Sequence, residues 1–86
     1  MNIEIGNNFV ITSDRHNVIL NEKITRKNGK NAGEVRLKTI GYYATLTGCL
    51  EGLVDYSVRM SKATTVEELM REIKDLKKMI KDKLRN

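Results

Sequence analysis

Two side-chain types with the intrinsic reactivity for nucleophilic or metal chemistry occur once each in this chain, as Cys49 and His16. Nucleophilic catalysis needs a nucleophile, a base and a group that orients the base. Cys49 falls in an apolar stripe of helical spacing, where a thiol acts as a small packing residue. His16 falls in the polar run Ser13-Asp14-Arg15-His16-Asn17, whose side chains bond their own backbone in turns. A single cysteine excludes an intrachain disulfide, and a single histidine distant from it leaves no zinc ligand set. Asp14 taken with Glu22 or Glu34 has no recognisable metal-ligand spacing. Gly29-Lys30-Asn31-Ala32-Gly33 lacks the G-x-x-x-x-G-K-[ST] spacing of a phosphate loop and precedes a strand instead of a helix. The expectation is a protein that is not an enzyme and needs no metal or cofactor.

Charge is the stronger signal. Sixteen Lys and Arg against eleven Asp and Glu give a net charge of +5. Between residues 23 and 38 the bases Lys23, Arg26, Lys27, Lys30, Arg36 and Lys38 face one acid, Glu34, so that segment alone accounts for the +5 of the chain. Such a patch fits an anionic partner, whether nucleic acid, a nucleotide or an acidic protein surface. It fits equally a solvated hairpin whose lysines discourage edge-to-edge pairing. In the nucleic-acid reading, Arg36 and Lys38 meet phosphates while Tyr42 on the same face stacks on a base. The aromatic supply for that role is thin: Phe9, Tyr42, Tyr43 and Tyr56. No helix-turn-helix or zinc-finger pattern is present.

The elements that must position this patch follow from periodicity. Ile3 and Ile5 alternate before the turn-forming Gly6-Asn7-Asn8, and Phe9-Val10-Ile11-Thr12 resumes a β-rich run. Val18 to Thr25 is the next strand, with Val18, Leu20 and Ile24 on one face and Glu22 awkwardly among them. Arg26 to Gly33 is a polar turn in which Asn28-Gly29 is the strongest local signal, since both residues tolerate the positive φ that tight hairpins require. Glu34 to Tyr43 returns as a strand with Val35, Leu37, Thr39, Gly41 and Tyr43 on one side. Arg36, Lys38, Ile40 and Tyr42 then lie on the other. From Thr45 the period changes: Leu46, Cys49, Leu50, Leu53 and Val54 recur at three and four, the stripe of an amphipathic helix. Thr45 is its candidate cap, and Gly48 and Gly52 lower its propensity but permit close approach to a sheet or helix. The reading is a single α+β domain over 1–86: an antiparallel β-meander of three or four strands (1–44), then an amphipathic helix (45–60) and a C-terminal amphipathic helix (65–85).

That last helix opens on Thr65-Val66-Glu67-Glu68, a capping box in which Glu68 reaches back to the cap. Its acids suit the positive end of the helix dipole and need no catalytic explanation. Val66, Leu69, Ile73, Leu76 and Ile80 are spaced 3, 4, 3, 4, a heptad seam with β-branched residues at a and leucine at d, which favours two strands. On that register Glu72 and Lys77 are placed to bridge between helices. The alternative is a helix docked on its own sheet. A chain of this length is marginal as a monomer, and without disulfide or metal the remaining support is self-association. A homo-oligomer, a dimer in preference, is therefore expected.

The N-terminus has neither the basic start nor the apolar stretch of a signal peptide, and no apolar run approaches the ~20 residues of a bilayer span. A lone thiol fits a reducing cytosol, so the expected location is the cytoplasm, with no membrane partner. The order of the pieces resembles a small family of uncharacterised proteins of tailed phages and prophages, a domain of unknown function. The residues that carry the likeness are Ile11-Thr12-Ser13-Asp14, Asn17-Val18-Ile19-Leu20-Asn21-Glu22 and Gly29-Lys30-Asn31-Ala32-Gly33. Gly41-Tyr42-Tyr43 and Ser61-Lys62-Ala63-Thr64-Thr65 complete it. The resemblance implies a phage or prophage origin, hence the cytoplasm of a bacterial host, and supplies no site. Small phage proteins without enzymatic motifs act as binders of host machinery, by analogy of origin and size. The first expectation is an inhibitor of a host antiviral defence, either anti-CRISPR-like or sequestering a signalling nucleotide, bound through the basic hairpin. A nucleic-acid-binding accessory factor in phage replication or recombination, and a small oligomeric assembly protein, are the alternatives.

Overall fold

In the computed structural model, which describes residues 1–84, four strands precede two helices. They are β1 (Asn2–Ile5), β2 (Phe9–Ser13), β3 (Val18–Thr25), β4 (Val35–Tyr43), α1 (Leu46–Arg59) and α2 (Val66–Leu84). The strands form one antiparallel sheet in the order β1-β2-β3-β4, so each pairs with its neighbour in sequence. Both helices pack on one face of this sheet, α1 against β3 and β4 and α2 against β1 and α1. The α+β meander-then-helices reading is thus the fold of the protein. Residue 85, the last predicted helical position, lies outside the described residues. No helix among the described residues is long and apolar enough to cross a membrane.

The turns form where the local chemistry places them. Gly6 takes a positive φ of 61° between β1 and β2, a conformation that costs glycine nothing. Asp14 Oδ1 accepts hydrogen bonds from the backbone N–H groups of His16 at 2.9 Å and Asn17 at 2.7 Å, closing the β2–β3 hairpin. Those backbone bonds hold the Asp14 carboxyl below its ordinary value. Thr45 caps α1, its Oγ1 accepting from the Gly48 N–H at 3.0 Å. Thr65 Oγ1 likewise accepts from the Glu68 N–H at 3.1 Å. The return arm of this capping box lands one residue early, because Glu68 Oε2 accepts from the N–H of Thr64 at 3.1 Å.

The core joins Ile5, Ile11 and Leu20 of the sheet to Cys49 and Leu53 of α1 and to Leu76 and Ile80 of α2. Cys49 is fully buried, and its desolvation pushes the thiol pKa up, so it serves as packing. Glycine sets the distance between α1 and the sheet. The Tyr43 ring lies where a Cβ on Gly52 would stand, and its hydroxyl also approaches the position of a Cβ on Gly41, at 2.9 Å. Glu22, the acid on the core-facing side of β3, is satisfied there: Tyr56 Oη donates to its Oε1 at 2.9 Å. The Tyr56 ring in turn meets Phe9 edge to face, with centroids 6.0 Å apart.

The polar turn expected from Arg26 to Gly33 is a loop spanning residues 26–34 that joins β3 to β4. Only glycines, Gly29 at 91° and Gly33 at 90°, use positive φ in it; Asn28 does not. The alternation along β4 is interrupted. Leu20 faces Gly41 and Asn21 faces Thr39, so Ile40 is an extra residue, a β-bulge. Ile40 itself packs against the core.

Replacing Gly52 with alanine should destabilise the fold by about 1–3 kcal/mol, since overpacking against Tyr43 outweighs the gain of ~1 kcal/mol in helix propensity. Urea or thermal unfolding of the variant reads this directly. A second expectation concerns acid. The carboxyls of Asp14 and Glu4 titrate below their ordinary values of 3.8 and 4.5 in the folded chain. Their contribution is therefore present above those values and lost as pH falls through and below them. Wild type should lose stability over that range faster than Asp14→Ala, in unfolding curves taken at successive pH values.

Candidate anion-binding hairpin

The β3–β4 hairpin extends past the helices, and every residue from Thr25 to Thr39 is exposed. Its loop is braced by its own backbone. Arg26 N–H donates to the Glu34 carbonyl at 2.9 Å and Gly33 N–H to the Arg26 carbonyl at 2.7 Å, continuing the ladder beyond Thr25 and Val35. Within the loop, Ala32 N–H donates to Gly29 and Glu34 N–H to Asn31. The tip is thus a folded loop that presents Lys27 and Lys30 to solvent.

The bulge decides which basic residues share a face. Beyond it, Glu22 pairs with Lys38 and Ile24 with Arg36, which places Arg36 and Lys38 on the helix side of the sheet. Arg26 and Arg36 line a concavity of about 420 Å³ with Ile24 and Glu34. Lys38 lines a neighbouring depression of about 380 Å³ with Ile40 of β4 and Tyr56, Arg59 and Met60 at the end of α1. Tyr42 pairs with Ile19 on the opposite face and is 62% exposed. The expectation that Arg36, Lys38 and Tyr42 form one stacking platform is therefore wrong: the bulge separates the cations from the aromatic ring.

Lys23 also leaves the group. It lies on the open face, where its ammonium pairs with Glu4 of β1 and holds that carboxyl below its ordinary value. Arg26, Lys27, Lys30, Arg36 and Lys38 have no ion-pair partner among the described residues. The helix-side row gains one cation that periodicity did not supply, Arg59, which is 70% exposed by its side chain and only loosely paired with Asp55 at 3.7 Å. It stands more than twenty positions along the chain from Lys38, and only the packing of α1 on β4 brings the two together. Its sequence signal was a lone base in the last turn of a helix, where it complements the dipole.

On the open face the polar tie is Asn21, 5% exposed. Its Nδ2 donates to the Val10 carbonyl and to Thr12 Oγ1, both at 3.0 Å, and its Oδ1 accepts from Thr39 Oγ1 at 3.4 Å. One amide thereby links β2, β3 and β4 beside the bulge. The proposed seam of α2 is distributed differently. Leu76 and Ile80 lie in the core of their own chain, Leu69 and Ile73 are half-buried beside Phe9 and Val58, and Val66 is 68% exposed. Glu72 accepts a hydrogen bond from the Ser61 hydroxyl of the same chain.

The family model described as "Domain of unknown function (DUF5405)" matches residues 3–86. The chain belongs to the DUF5405 family. It is 42% identical over 74 residues to the "Uncharacterized 10.4 kDa protein in GpA 5'region" of Escherichia phage 186, covering 86% of this chain and 81% of that protein. It is 37% identical over 76 residues to the corresponding 10.2 kDa protein of Escherichia phage P2, covering 88% of this chain and 84% of that one. No solved structure matches. The phage likeness read from the sequence is therefore correct, and this is a DUF5405 protein related to those of two Escherichia phages.

Because Asn21 satisfies groups on both neighbouring strands, Asn21→Ala should cost about 1–3 kcal/mol, the penalty for buried polar groups left without partners. An alanine at exposed Thr25 should change stability far less. Chemical denaturation of the two variants side by side checks the contrast.

Proposed function

We propose that this DUF5405 protein is a non-enzymatic phage accessory protein that inhibits a host antiviral defence by stoichiometric binding through its basic hairpin. The observation that carries the reading is the set of five exposed cations, Arg26, Lys27, Lys30, Arg36 and Lys38, none of which has an ion-pair partner among the described residues. Structural surface cations gain from nearby acids; cations left unpaired on a braced, projecting arm are available to an outside anion. Two arginines against one glutamate, Glu34, in the concavity beside Ile24 suit carboxylate or phosphate groups, since a guanidinium offers a planar fork of donors. Family membership with phage proteins supplies the host-directed part of the reading. The mechanism is occlusion: the hairpin docks on an acidic surface of a host defence protein, with electrostatic steering speeding encounter.

A second reading, a nucleic-acid-binding accessory factor, is favoured by the spread of the cations. They occupy the tip and the helix-side row instead of converging on one point, as contacts to a phosphate backbone do. The two readings differ in what the hairpin retains. Tagged protein should capture a host protein in stoichiometric amount from bacterial lysate treated with nuclease, and Lys27→Glu with Lys30→Glu and Arg36→Glu should lose it. Binding of plain DNA or RNA with a log–log salt slope of about −0.9 per phosphate contact, weakened by the same substitutions, favours the accessory factor. Capture or phage growth on defended hosts that is indifferent to the triple reversal would sink the hairpin as the contact.

A further inference from the structure

A second surface, away from the hairpin, remains unaccounted for. The amino-terminal half of α1 and the carboxy-terminal half of α2 run side by side and leave a groove of about 450 Å³ between them. Its apolar lining is Leu50 and Val54 of α1 with Ile80 and Leu84 of α2. At the other end of the pair, Val58 of α1 meets Leu69 and Ile73 of α2, so the helices are antiparallel. Val66, Met70 and Leu84 fall on one side of α2 by helical spacing, and all three are at least half exposed. The apolar stripe therefore continues along the helix pair beyond the groove.

We infer that a second copy of this chain covers this groove, helix pair against helix pair, about a two-fold axis parallel to the helices. The charges at the rim select both the occupant and the axis. Glu51 stands on α1, and Lys77 and Lys81 stand on α2 at the same level of the groove. An axis along the helices sets α1 of one copy over α2 of the other, which places Glu51 opposite the partner's Lys77 and the partner's Lys81. The same contact is made twice, as a closed isologous dimer requires. The perpendicular axis would instead stack α1 on α1 and oppose like charges.

The surface area agrees with a covered face. The chain exposes 6608 Å², roughly 1,400 Å² more than the ~5,200 Å² of a compact monomer of its mass. A standard interface buries about 800 Å² per partner. The projecting hairpin accounts for part of the excess, and the apolar helix stripe supplies the part suited to burial. None of the hairpin cations lines the groove, so the dimer carries two free basic arms.

Charge reversal tests this without touching the core, since Glu51, Lys77 and Lys81 are exposed. Native mass spectrometry and sedimentation across a concentration series should give a wild-type dimer. Glu51→Lys alone, and Lys77→Glu with Lys81→Glu, should each weaken self-association at least about tenfold through like-charge opposition. Mixed in equal amounts, the two variants should pair as a heterodimer, because each then meets the complementary sign. Leu84→Asp should weaken association through the apolar contact, with circular dichroism confirming that each variant is folded. A wild type that stays monomeric, a dimer indifferent to both reversals, or variants that fail to pair on mixing overturns the inference.

Discussion

The single extra residue at Ile40 determines what β4 presents to each side of the sheet. Side chains alternate along a strand, so one inserted residue reverses every position beyond it. After the bulge, Gly41 and Tyr43 face the helices, where glycine admits the tyrosine ring against Gly52. Before it, Lys38 and Arg36 face the helix side while Leu37 and Val35 turn to the open face. Without the bulge, strict alternation would put Arg36 and Lys38 on the open face with Tyr42. With it, a nine-residue strand serves the core at one end and carries an exposed basic row at the other. Asn21, fully engaged beside the bulge, holds the three strands in that offset register.

The rest of the fold shows tertiary packing overriding local preference. Gly48 and Gly52 weaken α1 as an isolated helix, yet Gly52 is needed so that the Tyr43 ring can lie under it. Glu22 on the core-facing side of β3 looks like an error of pattern until Tyr56 donates to it from α1. In both cases the cost on one element is met by a residue on another, distant in sequence. The core draws its buried side chains from β1, β2, β3 and both helices, so no half of the chain holds a complete core.

Features set by neighbours in sequence were legible in advance. The Asp14 turn, the Thr45 cap, the Thr65–Glu68 box, the helical stripes and the antiparallel meander of three or four strands all depend on residues within a few positions of one another. Features set by spatial neighbours were not. Nothing local marks Ile40 as an insertion, because a β-branched residue fits a regular strand equally well; only the partner strand reveals the skipped pairing. The same limit hid Arg59 from the candidate site and placed Tyr42 with Arg36 and Lys38. A heptad spacing in α2 was real, but spacing does not say whether the buried side belongs to the same chain, and Leu76 and Ile80 are covered by their own sheet and α1.

Strand order equal to sequence order has a kinetic consequence. Each strand joins the sheet by closing a short loop onto the strand just before it, so the meander needs no distant partner to be in place first. Contacts of low sequence separation cross a smaller entropic barrier and assemble quickly. The helices supply the other side of the core, α2 by bringing Leu76 and Ile80 onto β1 and α1. Without α2 in place the apolar face of the sheet would stay partly open, so the docking of that helix closes the core that the meander begins.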